Sequence, residues 1–403
     1  MRVCVATTVH HPEDARITHR QIRALLDAGH EVTFVAPFTH CNVTPSQGIR
    51  AVDVPRAVGL HRSRALRASS SALRRASRDA DLLLVHDIEL LLTLPRRRPP
   101  TVWDVHEDTI AALDTKSYLP GPLRGVLPPL IRAIESRAER RLHLILAEEA
   151  YRARFPGPHP VVPNHTYVPP TPPPPPGDSR VVYVGHISAA RGAAEMIEVA
   201  RRLRPYGIRL DLIGPADAAV RPMLRDAQRE GVLDWFGYVP NRHALRMAEG
   251  ALAGLSLLHD LPNYRQSTPT KIIEYMARGI PVVTTPLPNA ASLVGRVDCG
   301  TIVPFGEAGP DAGAVTDPAS ESASDTVTDA VVRAVLRLRD DPNRRAAMGT
   351  RGYVEALNHY HWPAVAGEFV ALLERWAEAP GPAPRPGSTR PRITGTRPAG
   401  AYR

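Results

Sequence analysis

Lys271 and Glu274 stand three residues apart in the stretch Asn263 to Thr285, N-Y-R-Q-S-T-P-T-K-I-I-E-Y-M-A-R-G-I-P-V-V-T-T, and on a helix that spacing puts both on one face. Free amides and the dipole at a helix start favour an anion by about 0.3–1 kcal/mol at an exposed site. Lys271 adds a full charge there, and Glu274, one turn deeper, accepts from hydroxyl groups. A sugar nucleotide fits this set: diphosphate on the amides and Lys271, ribose diol on Glu274. The same residues also describe an ordinary capped helix carrying one surface ion pair. Among 50 basic residues only Lys116 and Lys271 are lysines, so a compact ammonium at this turn departs from the habit of the chain.

Histidine paired with carboxylate recurs in three further places. These are His10-His11-Pro12-Glu13-Asp14-Ala15-Arg16, His86-Asp87-Ile88-Glu89 and Asp104-Val105-His106-Glu107-Asp108. Each follows or ends a short apolar run. If those runs are parallel strands, their carboxyl ends bring His10, His11, Asp14, His86, Asp87, His106 and Glu107 to one rim. One such histidine is more often structural, but three loops of this kind point to a ligand site. No H-x-H or H-x-x-x-H pair occurs within any of these three loops, so a metal site is not expected.

The elements that must position these groups are legible as alternating strands and helices. Val3 to Ala6 is an apolar strand, Thr7 to Asp14 a polar loop, Arg16 to about Ala28 a helix, and Val32 to Val35 the next strand. This opens a doubly wound α/β unit, continued by strands at Leu82–Val85, Val102–Trp103 and Leu144–Ala147. No G-x-G-x-x-G occurs, so no dinucleotide cofactor is expected. Pro169 to Pro176 reads as an extended, semi-rigid spacer. A second alternation follows, with strands at Val181–Val184, Leu210–Ile213, Val232–Phe236, Ala253–Leu258 and Ile280–Val283. Ser267 and Thr268 predict a capping hydroxyl with Pro269 as the first helical residue, and Gly279 ends that helix. The expected organisation is an α/β chain of two Rossmann-like domains, residues 1–165 and 179–360, joined by a linker at 166–178. A helix over 361–377 would return toward the first domain, and a basic tail over 378–403 would be disordered. Gly306 to Ser324 reads as an irregular surface loop, and Asn358 to Trp362 as a hinge at the domain junction.

Composition narrows the class. With 403 residues, 43% hydrophobic and 23% charged, the chain suits a soluble protein of two or three domains. Cys4, Cys41 and Cys299 are far apart, which argues for a reducing compartment and against a zinc site or disulfide framework. Neither a signal peptide nor an 18-residue apolar run is apparent, so a cytoplasmic protein is expected. Part of the net charge of +9 lies in the tail. The remainder clusters in the first half: Arg62, Arg64, Arg67, Arg74, Arg75 and Arg78, then Arg96 to Arg98. Arg124, Arg132, Arg137, Arg140 and Arg141 follow, beside Leu127, Leu130, Ile131 and Ile134. Such a surface suits anionic lipid at the inner face of a membrane. Nucleic acid is disfavoured, because aromatics are only 5% and do not interleave with the arginines.

Taken in order, several stretches resemble the retaining GT-B glycosyltransferases of family 4. They are H-H-P-E-D-A-R-I, V-H-D-I-E-L-L, W-D-V-H-E-D, V-V-P-N, V-V-Y-V-G-H-I-S-A-A-R-G, Y-R-Q-S-T-P-T-K-I-I-E-Y-M-A-R-G-I-P-V-V and R-A-A-M-G-T-R-G-Y-V-E. The resemblance covers most of residues 1–377. It implies transfer of a sugar from a nucleotide-diphosphate donor across an interdomain cleft, with retention and without a metal or other cofactor. By position, Lys271 and Arg191 would neutralise the diphosphate, Glu274 would hold the ribose, and His106 would contact the transferred sugar. These four would form the catalytic set. Gly185, His186, Tyr238, Val239, Gln266, Ser267, Thr268 and Thr270 would complete the donor side, with Tyr238-Val239 at the base. His10, His11, Asp14, His86, Asp87 and Glu107 would face the acceptor. The sequence departs from the family at Gln266, where a glutamate is usual, and at His186, where an arginine is usual. The acceptor would be a bacterial glycolipid, envelope glycan or secondary-metabolite scaffold. A GT-B sugar-nucleotide epimerase and a non-catalytic sugar-nucleotide or membrane-surface binding protein are the alternatives.

Overall fold

A computed structural model describes residues 1–58, 62–111, 121–265, 267–305 and 327–378. Gln266, the loop at 306–324, the tail beyond Glu378 and the side chain of Arg124 lie outside the described residues.

The chain forms two six-stranded sheets, and every pairing in them is parallel. The first runs β3-β2-β1-β4-β5-β6 and the second β12-β11-β10-β7-β8-β9. The strands of the first are β1 (Arg2–Ala6), β2 (Glu31–Ala36), β3 (Ile49–Asp53), β4 (Leu82–Val85), β5 (Thr101–Val105) and β6 (His143–Leu146). Those of the second are β7 (Arg180–Val184), β8 (Arg209–Ile213), β9 (Asp234–Trp235), β10 (Ala253–Ser256), β11 (Val282–Thr284) and β12 (Gly300–Ile302). Read outward from its first strand, each sheet has the same doubly wound order. The strand order therefore reverses between β1 and β4 and between β7 and β10, where such sheets bind ligands beyond their carboxyl ends.

The central strands are apolar because helices cover both faces. β1, β4 and β5 are buried along nearly their whole length. β3 and β12 lack that signature and were not expected from the sequence. Each is an edge strand with partly exposed residues, Ile-Arg-Ala-Val-Asp in β3 and Gly-Thr-Ile in β12, so no continuous apolar run marks it.

The Pro363–Glu378 helix packs against the first sheet, not the second. Trp362, Phe369, Val370 and Leu373 share a core with Val3, Val5, Ile17 and Phe34. The proline segment lies strapped along the second domain. Tyr353 donates to the Pro169 carbonyl (2.8 Å), Arg345 Nε to that of Pro176 (3.2 Å), and the Gly177 amide to Gly250 (2.9 Å).

Candidate functional site

In the second domain the site is built around Lys271, in the first turn of the Thr270–Met276 helix. That helix begins later than the sequence suggested. Pro269 is its N-cap, with extended backbone (φ −59°, ψ 117°), and no side chain caps it. Ser267 and Thr268 thus lie before the helix and do not act as its capping hydroxyls. Lys271 is 7% exposed, and its Nζ has no hydrogen-bond partner among the described residues. The ammonium sits 3.9 Å from the centre of the Tyr183 ring and beside Gly185. Burial, then the nearby Arg191 charge, push its pKa well below the usual lysine value, against Glu274. Arg191 ends the short Ala189–Arg191 turn, which Gly192 closes at φ +81°. A Cβ on Gly192 would stand 2.6 Å from the Leu257 carbonyl, so the turn needs glycine on two grounds. Two close cations in a buried place are costly unless an anion joins them.

Glu274 is buried and already engaged. Its carboxylate accepts from Asn241 Nδ2 (2.9 Å) and lies 3.5 Å from the Arg20 guanidinium of the opposite domain. His186 turns outward, with Nε2 2.7 Å from Asp217. Tyr238 reaches across the cleft: its hydroxyl donates to Glu13 (2.8 Å), and its ring lies 4.4 Å from that of His11. Val239 is half-buried, packed against the core beneath it.

In the first domain β1, β4 and β5 are neighbours, so the three histidine loops meet. His106 Nε2 lies 3.1 Å from His10 Nε2, and His106 Nδ1 lies 3.1 Å from the Asp104 carbonyl. These two rings, with Glu107, edge a cavity of about 60 Å³. His86 and Asp87 line the same cavity, but both are already engaged by the protein. His86 is buried with Nδ1 3.1 Å from Asp104 Oδ2. Asp87 accepts from the hydroxyls of Thr7 (2.8 Å) and Thr8 (2.9 Å), the Val9 amide (3.1 Å) and the Thr8 amide, which pins the β1 loop. Asp14 is likewise occupied, accepting from the Arg16 (2.9 Å) and Ile17 (3.1 Å) amides. Burial opposes ionisation of Asp104, yet Arg16 and His86 hold it well below the usual carboxylate range. Arg16 binds it through two bonds of 2.7 and 2.6 Å, and Gln21 adds a third at 3.0 Å.

Sequence reasoning passed over Arg16, Arg20, Asn241 and Glu148. Ala15–Ile22 is a π-helix, wider than an α-helix, and the four-residue spacing sets Arg16 and Arg20 near one face of it. Arg16 serves its own domain, and Arg20 reaches Glu274. Glu148, at the end of β6, accepts from the Thr268 amide across the cleft, and burial raises its pKa to about 7 despite that bond and Arg16. The available signal was two arginines four residues apart, Arg16 and Arg20, on the helix whose other face carries Ile17 and Ile22.

Comparison with known proteins bears on the family and the fold. Residues 15–155 match the family described as Glycosyltransferase Family 4, and residues 178–317 the family described as Glycosyl transferases group 1. WcaL of Salmonella typhimurium, assigned as a colanic acid biosynthesis glycosyltransferase, is 27% identical over 133 residues. That match spans only 32% of this chain and 33% of the relative. Among solved structures, sucrose-phosphate synthase of Thermosynechococcus elongatus superposes with a TM-score of 0.68 at 15% identity, covering 93% of this chain and 98% of that one. Anabaena HepE in complex with UDP-glucose gives 0.64 at 14% identity, covering 93% and 100%. At these identities the likeness is one of fold.

Proposed function

We propose, for a chain that belongs to glycosyltransferase family 4 and has the GT-B fold, that it moves a sugar from a nucleotide-diphosphate donor to an acceptor hydroxyl, with retention and without a catalytic metal. The observation that carries this reading is the buried, unpartnered Lys271 ammonium beside Arg191. Breaking the bond from the anomeric carbon to the phosphate oxygen leaves negative charge on the diphosphate and positive charge on the sugar. Lys271 and Arg191 offset the first with charge-assisted hydrogen bonds of about 1.5–3 kcal/mol each. Thr270 and the segment before it supply amides, and Glu274 exchanges Asn241 or Arg20 for the ribose. His106 faces the sugar. Its Nδ1–H donates to the Asp104 carbonyl, so Nε2 is left as an acceptor for a sugar hydroxyl.

UDP-, GDP- and TDP-sugars incubated with the purified chain should release free sugar and nucleotide slowly, and excess chelator should leave the rate unchanged. HepE binds UDP-glucose, which makes uridine donors the first to try. Lys271→Ala should weaken donor binding at least about tenfold by calorimetry. Equal binding in that variant removes the proposed seat. Formation of a new sugar nucleotide would instead indicate epimerisation, and saturable binding without turnover a binding protein.

The acceptor side is read as envelope-directed, in keeping with the assignment of WcaL. No helix among the described residues is long and apolar enough to cross a membrane. Exposed Val126 and Leu130 on the Gly121–Glu139 helix, with Leu92 on the turn packed beside it, lie among exposed Arg96, Arg97, Arg132 and Arg137. That mixture suits peripheral contact with anionic lipid. Vesicles containing phosphatidylglycerol should float the protein, and vesicles of phosphatidylcholine alone should not. Arginine-to-glutamine changes at Arg96, Arg97, Arg132 and Arg137 should reduce flotation; no flotation at all rules the contact out.

A further inference from the structure

We infer that His10, His106 and Glu107 form a site for one divalent transition-metal ion such as Zn²⁺, and that filling it blocks the sugar pocket. The blocking half rests on the placement of the sugar beside His106 proposed above; the binding half does not.

The donor atoms already stand where a metal needs them. His10 Nε2 and His106 Nε2 are 3.1 Å apart, and two nitrogens bound at about 2.0–2.1 Å in a tetrahedron stand about 3.3 Å apart. The ring centroids are 4.6 Å apart with planes at 50°, so the imidazoles meet obliquely; a head-on pair would hold its centroids farther apart. An oblique meeting lets both nitrogen lone pairs converge on one point beside the contact. A Glu107 carboxylate oxygen and one ring nitrogen of each histidine all lie within 4.8 Å of one another, and the Glu107 side chain is exposed.

The surroundings also favour a cation. His106 Nδ1 faces the Asp104 carbonyl at 3.1 Å, which fixes the proton there and frees Nε2 as the ligating atom. That is how metal-binding histidines are usually oriented. Asp87 Oδ1 lies 3.5 Å from His10 Nε2, and Glu89 and Glu107 line the same cavity, although Arg62 does too. A cavity of about 60 Å³ has room for an ion and a water in the fourth position. Two imidazoles and one carboxylate suit zinc, nickel or cobalt better than magnesium or calcium.

A second grouping, His86, Asp104 and His106, shares one ligand but is a poorer site. Asp104 there is taken by Arg16 and Gln21, and the guanidinium would face the incoming ion. The ligand spacing was invisible in the sequence because His10 and His106 come from loops 96 residues apart.

The test is calorimetric titration of ZnCl₂ into the metal-free full chain. One ion should bind per chain. His10→Ala and His106→Ala should each weaken it at least about tenfold. Glu107→Gln should weaken it less, and the exposed His40→Ala should leave it unchanged; circular dichroism melts check that each variant is folded. Anomalous scattering from zinc-soaked crystals should put the ion between the two rings. Zinc should also stop donor hydrolysis, and a chelator should restore it. Absence of binding at 100-fold molar excess over protein, or equal affinity in His106→Ala, overturns the site. Zinc bound there with hydrolysis unaffected overturns the blocking role. A protein that turns over no sugar nucleotide would sink the function proposed above while leaving the calorimetry to decide this site.

Discussion

Glu148 shows how far the fold moves one ionisation. In an unfolded chain it titrates near 4.5, but burial behind the Thr268 amide carries it to about 7. Between those values the folded protein holds a proton that the unfolded chain has lost. This contribution to stability therefore falls as pH rises from about 4.5 to about 7 and is level above. Glu148→Gln should remove it, so melting temperatures of wild type relative to the variant should decline across that window. Parallel curves would mean that the carboxyl is not buried against Thr268. Asp104 works in the opposite sense: held low by Arg16, it stabilises above the usual carboxylate range, and that is lost as pH falls through its depressed value. Lys271 and the histidine loops were legible in the sequence because each stands directly beside an apolar run. Glu148, Arg20 and Asn241 were not, because their meaning comes from groups hundreds or tens of residues away that only the closed cleft brings near.

At the scale of elements, the π-helix is the part whose geometry matters most to the site. Asp14 caps it through two amides, and Arg16 and Arg20 leave it on one side. Asp14→Ala should cost about 0.5–2 kcal/mol in denaturant unfolding, the usual range for a lost cap. A change nearer zero would show that Arg16 and Asp104 hold the segment without it. The helix was expected from Ile17, Ile22, Leu25 and Leu26, but nothing in that spacing separates a π-helix from an α-helix. The central strands were likewise evident from buried runs such as Leu82–Val85, while β3 and β12 were hidden by the polar residues an edge tolerates. The Thr270–Met276 helix starts one residue later than the sequence suggests, because Pro269, although its φ of −59° suits a helix, has an extended ψ of 117°.

At the scale of the molecule, the last helix ties the two ends of the chain together. Trp362 is almost fully buried and packs at 6.0 Å on Phe369. Trp362→Ala should lower stability by about 3–5 kcal/mol. If the loss is instead below 1 kcal/mol, the helix is not anchored as the packing implies. Beside that tryptophan the two segments that pass between the domains are bonded to each other. The Thr166 amide donates to the Tyr360 carbonyl (2.9 Å), the Trp362 amide to Thr166 (2.8 Å), and the Val168 amide to His361 Nδ1 (3.2 Å). Because both crossings are pinned at one spot and the prolines beyond it are fastened down, the halves have a single spine to swing on, as a book has. A rotation of the halves about that spot would break the Tyr238–Glu13 and Arg20–Glu274 contacts together, because both bridge the cleft between them.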